Sequence, residues 1–309
     1  MPRFPALLLL LFLAPAPAAA QTFETTGARA LGMGGAFVGV ADDVTAIWWN
    51  PAGLASGGFF GLAVEWHQFE QRRPELFGAP PPAERSAFFV GAGSLPLGLS
   101  YVRTRETYTA AGPADEAVVR DLVTHQAGVT VLQSITGTIV VSGTLKYVRG
   151  IASAAPAGVE GEGEGGHAFD ADVAVMAHAG DLKAGLTFRN VTSPSFEAPD
   201  GTRLALPWLA RAGVSYLALP ALTVAFDVDL RPMTVGADRR RALALGGEYR
   251  LTRLSLRSGA RFDTIGQVNP LGTVGGSYAV RNGVWVDVWA AAGAREAGRG
   301  WGLAGRIVY

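Results

Sequence analysis

The chain has 309 residues, with 26 basic and 26 acidic side chains for a formal net charge of zero, 49% hydrophobic residues and no cysteine. Balanced charge without Lys or Arg clusters gives no footing for nucleic acid, and the lack of cysteine excludes disulfides and thiolate metal sites. Glycine is abundant at 41 residues and mean hydropathy is positive at +0.23, yet no apolar run reaches the roughly 20 residues of a membrane helix, so the apolar content must be spread over many short strands.

At the N-terminus, Arg3, the apolar run from Leu7 to Leu13 and the small residues Ala18, Ala19 and Ala20 follow the order of a secretory leader, with cleavage expected before Gln21. Residues 1–20 are read as a signal peptide, 21–58 as a plug and 59–309 as a barrel. Within the plug, Gly32, Gly34, Gly35 and Gly39 permit close backbone approach to surrounding walls and positive φ. Ala41 to Trp49 is expected to form about two helical turns capped by Asp42 or Asp43. Asn50-Pro51-Ala52-Gly53 is then expected to end that helix, since Pro restricts the residue before it and Gly permits a left-handed exit. Gly32 to Phe37 is only a partial dinucleotide-binding fingerprint without strand-helix context. Asp42 and Asp43 are adjacent, so on a helix their carboxylates diverge and form no acid/base pair.

Beyond residue 58 the period-two runs bounded by turn residues number fourteen, at 59–69, 85–94, 97–108, 120–132, 137–150, 169–180, 182–192, 207–218, 221–230, 241–251, 253–263, 272–280, 284–293 and 300–309. Long connections at 70–84, 109–119, 151–168, 193–206, 232–240, 264–271 and 294–299 alternate with short turns such as Gly180-Asp181 and Arg281-Asn282-Gly283. That alternation belongs to a 14-stranded antiparallel transmembrane β-barrel of the outer membrane, and a soluble sandwich has no reason to keep it. Along 221–230, Leu222, Val224, Phe226, Val228 and Leu230 share one face, with Thr223, Asp227 and Asp229 on the other. In the last strand Trp301, Leu303, Ile307 and Tyr309 oppose Gly302, Ala304 and Arg306. Tyr216, Tyr249 and Tyr309 fall at the short-turn end, and Trp208 and Trp301 at the other, as aromatic girdles do.

Lumen-facing charges of both signs, including Lys146, Asp170, Asp172, Arg189, Arg211, Asp227, Asp229, Glu248, Arg257, Arg261 and Arg306, read as ion pairs that hold the barrel and whatever fills it. Fourteen strands enclose more volume than their own side chains fill, and the segment before the first strand is the natural filling. His67, His125, His167 and His178 are scattered, and the stretch around Glu160, Glu162 and Glu164 reads as a solvated loop tip. No metal spacing and no catalytic arrangement stands out, so neither catalysis nor a cofactor is expected.

The run from Gly27 to Ala55, GARALGMGGAFVGVADDVTAIWWNPAGLA, is similar to the N-terminal hatch of the FadL-type outer-membrane transporters and of the related PorV/PorQ proteins. Those families share its Gly-rich start, Ala-Asp-Asp step and Asn-Pro-Ala-Gly turn, and the stretches Leu206 to Tyr216 and Gly246 to Arg250 resemble their barrels. The resemblance implies conduction of small hydrophobic molecules such as fatty acids or aromatic hydrocarbons. An apolar site beside the plug would then use Phe37, Ile47, Trp48 and Trp49, whose other reading is packing into the barrel. The PorV-like alternative is a non-conducting partner subunit of a secretion or surface-attachment machine. This chain departs from the transporter pattern in its shorter, polar outer loops and in a third strand, 97–108, without an internal Pro to open the wall.

Overall fold

The structure, a computed structural model, describes residues 18–19, 21–71, 83–111, 117–159, 161–235, 238–294 and 298–309. Nearly all of the expected signal peptide and the centre of the loop read at 70–84 lie outside the described residues. Fourteen strands form one closed antiparallel barrel. They are β1 (Phe60–Gln71), β2 (Ala83–Ser94), β3 (Leu97–Ala111), β4 (Ala117–Ser134), β5 (Ile139–Pro156), β6 (Gly163–Ala179) and β7 (Leu182–Arg189). The second half comprises β8 (Leu209–Leu219), β9 (Leu222–Asp229), β10 (Ala242–Arg250), β11 (Leu254–Asp263), β12 (Leu271–Arg281), β13 (Val284–Gly293) and β14 (Arg299–Val308). Each strand pairs with its sequence neighbours, and β14 closes on β1 from Arg299 opposite Glu70 to Val308 opposite Gly61. Closure leaves no unpaired strand edge.

The alternation of side chains sorts the wall into a dry outside and a polar inside. On β14, Trp301, Leu303 and Tyr309 are exposed, whereas Gly302, Ala304 and Arg306 are buried. On β9, Val224 faces out while Asp227 and Asp229 are buried. Val129, Val131, Leu145, Val173, Leu256, Val274 and Val288 continue the exposed apolar band around the barrel, a surface that water alone would not favour and that a bilayer covers. Tyr216, Tyr249 and Tyr309 sit exposed at the short-turn end, as their positions in the sequence suggest.

Two connections differ from expectation. The stretch 151–168 was expected as a loop because it lacks apolar alternation. Instead β5 pairs with β6 as far as Ser153 opposite Gly163 and with β4 as far as Pro156 opposite Val118, small side chains and glycines accepting the ladder without an apolar face. The second is 193–206, expected on the outside, which folds inward. Its short strands Ser195–Glu197 and Arg203–Ala205 pair with each other, and Ala18–Ala19 adds alongside in parallel. Phe196 lies against Gly150 and Gly166, where any larger side chain would exclude the ring, and packs with Tyr108, Leu122, Val148, Leu204 and Leu206 in a buried cluster. This cluster occupies part of the lumen at the long-loop end.

Val288 lies mid-strand at 54% exposure, and Val268, outside the strands at the long-loop end, is 68% exposed. Val288→Arg is expected to cost about 2–4 kcal/mol and Val268→Arg about 0–1 kcal/mol, read from urea unfolding in lipid vesicles. Equal penalties at the two positions would contradict a bilayer around this band.

Candidate functional site

Residues 21 to 54 are almost all buried, although the segment has little regular structure of its own. It holds α1 (Ala28–Gly32), α2 (Ala46–Trp49) and a 3-10 turn, Pro51–Ser56. Helices this short are not stable alone, so the wall determines the path of the segment.

The expected two-turn helix at 41–49 is a single turn, and the reason lies in the acids. Asp42 and Asp43 do not diverge along a helix; each accepts from Arg29 Nη1 at 2.7 Å. Asp43 Oδ1 also takes the Thr45 backbone N–H at 2.9 Å, which uses it in a turn rather than as the cap of α2. Asn50 is extended, its Oδ1 accepting from Ala52 N at 3.2 Å to start the 3-10 turn, and Pro51 occupies the first position of that turn. Gly53 does not make the expected left-handed exit. Its role is close approach, since a Cβ there would collide with the Ala41 carbonyl.

Arg29 is the only cation between residues 21 and 58, and it organises one side of the lumen. Besides the two aspartates it meets Glu248 at 2.7 Å, and Glu248 in turn pairs with Arg257 and Arg250, each at 2.6 Å. Arg306 joins Asp287 at 2.6 Å and reaches Asp43 at 3.5 Å, while Ser277 donates to Asp287. Further round the wall, Arg211 sits 2.7 Å from both Glu24 and Asp229, and Arg261 is 3.2 Å from Glu24. Asp227 accepts the backbone N–H groups of Phe37 and Val38 at 2.9 and 2.8 Å. Burial opposes ionisation of Asp43, but Arg29 and Arg306 outweigh it and hold its carboxyl below the usual range. Burial likewise opposes ionisation of Glu24, and Arg211 and Arg261 overcome it to lower the carboxyl to about 2.

A second anchor uses a carboxylate at a helix start. Glu65 on β1 accepts from Gly27 N at 2.7 Å, Ala28 N at 3.2 Å and Thr26 Oγ1 at 3.1 Å. Trp289 Nε1 donates to His67 Nδ1 at 2.9 Å, so the ring proton is on Nε2, which lies 2.9 Å from Glu65. That relay fixes the direction of the carboxylate.

The four residues singled out for an apolar site come together but bound no large space. Phe37 and Trp49 meet edge to face at 6.2 Å, with Arg29 5.2 Å from the Phe37 ring centre. The Trp48 and Trp49 indoles donate to the carbonyls of Phe23 and Thr26 at 2.8 and 2.9 Å, and the Arg189 guanidinium lies 3.3 Å from the Trp48 ring centre. Ile47 and Trp48 border a cavity of about 10 Å³ against Phe89 and Val102, below the size of one water by volume. Lys146 binds Asp170 and Asp172 at 2.8 and 2.6 Å behind them.

The remaining contact surface is of a different kind. From β1 to β3 the wall presents Gly61, Gly93 and Gly98, and Val44, Ile47 and Leu54 rest on them. A Cβ on Gly98 would lie 3.0 Å from Ile47, and a cavity of about 20 Å³ adjoins Val44 and Leu54. Val44, Ile47 and Leu54 are held at this seam by apolar contact, while the β8–β14 side holds the segment by ion pairs and by side-chain bonds to its backbone. The β3 ladder runs without a register shift against both neighbours, so the wall has no gap there.

Sequence reasoning placed the lumenal acids and bases correctly but missed Arg29, Glu65, His67, Asp287 and Glu24. Glu65, His67 and Asp287 were findable from inward parity on β1 and β13, and Arg29 as the lone cation of its segment.

No protein-family model and no curated relative matches the sequence. Solved structures do match in fold. The CymD monoaromatic hydrocarbon channel aligns with a TM-score of 0.64 at 12% identity, covering 92% of this chain and 96% of that one. A Pseudomonas aeruginosa FadL homologue gives 0.63 at 8% identity over 92% and 98%. The P. putida toluene transporter TodX gives 0.61 at 12% identity over 93% and 97%. The shared architecture is the 14-stranded barrel.

Arg29→Met takes the shared cation from Asp42, Asp43 and Glu248, leaving them only Arg250, Arg306 and Arg257, and is expected to cost about 3 kcal/mol, with faster amide exchange confined first to residues 27–49; unchanged exchange there would remove Arg29 as the organiser. Because the folded Glu24 carboxyl is lowered, its contribution is full above its ordinary 4.5 and is lost as pH falls toward about 2. In a variant whose only tryptophans are Trp48 and Trp49, emission should hold steady from pH 7 to about 4.5 and shift red below it. Glu24→Gln should weaken that transition, and a shift already complete at pH 5 would refute the assignment.

Proposed function

We propose that this chain is an outer-membrane barrel of the FadL type that lets small hydrophobic molecules across, with residues 21–58 as the plug that closes it. The observation that carries the reading is the two-sided seating of the segment: charge and backbone bonds on β8–β14, a glycine-lined apolar seam on β1–β3. Displacing Val44, Ile47 and Leu54 from the glycines breaks no hydrogen bond and strands no ion, whereas pulling Arg29 from Glu248 breaks a hydrogen-bonded ion pair and pulling Phe37 and Val38 from Asp227 leaves a buried carboxylate without its donors. Passage therefore opens along the seam, with Val44, Ile47 and Leu54 giving way and Trp48 and Trp49 forming its inner edge. The hydrocarbon and toluene channels that share this fold support the choice of cargo class. An unbroken β3 favours a route between plug and wall over an exit through the third strand.

The chain has no cysteine, so a reversible tether can be placed cleanly. A Cβ on Gly61 would sit 3.2 Å from Val44 Cβ, close to disulfide reach. In liposomes, the Val44→Cys/Gly61→Cys barrel should take up toluene when reduced and fall to the empty-vesicle rate when oxidised. Trp48→Ala/Trp49→Ala should alter uptake in the same assay. Equal uptake in both redox states would sink the seam, and no uptake by a folded, reduced barrel would sink conduction.

A further inference from the structure

The long-loop end of the lumen keeps an open space. Beyond the inward fold of 193–206 lies a cavity of about 130 Å³, floored by Gln21 and Thr22 and walled by β9–β14 and β1–β3. Its volume is near that of an engineered cavity that holds one benzene ring, but its lining differs from a hydrocarbon site. Phe69, Met233 and Leu271 supply apolar surface, and between them stand charged groups of both signs.

Several of those groups lack what a buried charge requires. Arg85 gives its terminal nitrogens to Thr22 Oγ1 at 2.5 Å and the Glu24 carbonyl at 2.7 Å, and its Nε has no hydrogen-bond partner. Glu106 Oε1, Arg240 Nε and Gln21 Nε2 are also without one. Elsewhere around the cavity charges are matched, as Glu24 is with Arg261 and Glu70 with Arg299. Arg85 and Glu106 stand opposite each other on β2 and β3, yet among the described residues no acid comes within ion-pair distance of Arg85 or Arg240, and no base within that distance of Glu106. An unpaired acid and unpaired guanidiniums facing one space are costly to an empty or hydrocarbon-filled cavity. A lone anion leaves Glu106 unanswered, and a lone cation leaves the arginines so.

We infer that this cavity is a binding site for a small zwitterion with a short apolar body, the amino-acid class, its ammonium meeting Glu106 and its carboxylate meeting Arg85 and Arg240. The site stands at the entrance to the lumen, ahead of the plug, and does not depend on whether anything passes it.

The test is calorimetry on the refolded full barrel with a matched set of probes: leucine, 4-methylpentanoate, which lacks the ammonium, 3-methylbutylamine, which lacks the carboxylate, and toluene. Leucine is expected to bind saturably and each single-charge analogue about tenfold or more weakly, as loss of one charged hydrogen bond predicts. Glu106→Gln and Arg240→Gln should each weaken leucine by a similar factor, with heat-modifiable gel mobility reporting that both variants are folded. Single-charge analogues binding as tightly as leucine, unchanged affinity in both variants, or no saturable leucine binding to the folded barrel would each overturn the site. Toluene uptake without leucine binding would leave the conduction reading standing and remove this one; leucine binding without any uptake would do the reverse.

Discussion

A charge inside a closed barrel must find its opposite within the barrel. The buried segment 21–54 occupies much of that interior, so an inward carboxylate or guanidinium packed against it is stable only when paired and hydrogen-bonded. In this molecule the pairing runs through the N-terminal segment. Arg29 stands between two aspartates of its own segment and Glu248 of the wall, and Glu248 is shared with Arg257 and Arg250. Neither wall nor segment is electrostatically complete alone, which makes the segment part of the folded barrel rather than cargo inside it.

The two sides of the lumen answer different needs. On β8–β14 the wall grips with ions and with carboxylates that collect backbone N–H groups, as Asp227 does for Phe37 and Val38. On β1–β3 glycines let the segment approach, and apolar side chains fill the gap. Glu65 and Arg85 are the exceptions on that side, Glu65 holding the start of α1 and Arg85 holding Thr22 and Glu24. The stronger and the weaker contacts of the segment thus lie on different walls of the barrel.

The aromatic cluster shows how an apolar appearance can mislead. Phe37, Trp48 and Trp49 look in the sequence like the lining of a hydrophobic site, yet each is capped by a guanidinium or an indole hydrogen bond. Cations over ring faces let arginines lie within an otherwise apolar interior. The open space lies elsewhere, among charged residues at the long-loop end, where no sequence pattern drew attention because its lining comes from nine strands and their flanking segments.

The barrel itself was legible in the sequence. Period two with one dry and one wet face, long and short connections in alternation, and an aromatic closing strand define the number of strands and their faces through local chemistry alone. The bases and acids on inward positions of β6, β8, β9, β10, β11 and β14 were readable for the same reason. What only the tertiary structure decided is how partners far apart in the chain meet. Arg29 and Glu248 are 219 residues apart and His67 and Trp289 are 222, and no periodicity records such a distance. The same limit explains the short α2 and the inward fold of 193–206. Local propensity favoured a longer helix and an outer loop, but Arg29 drew the acids out of the helix and Gly150 and Gly166 opened a place for Phe196. Those outcomes belong to the closed lumen, whose shape exists only after the last strand has paired with the first.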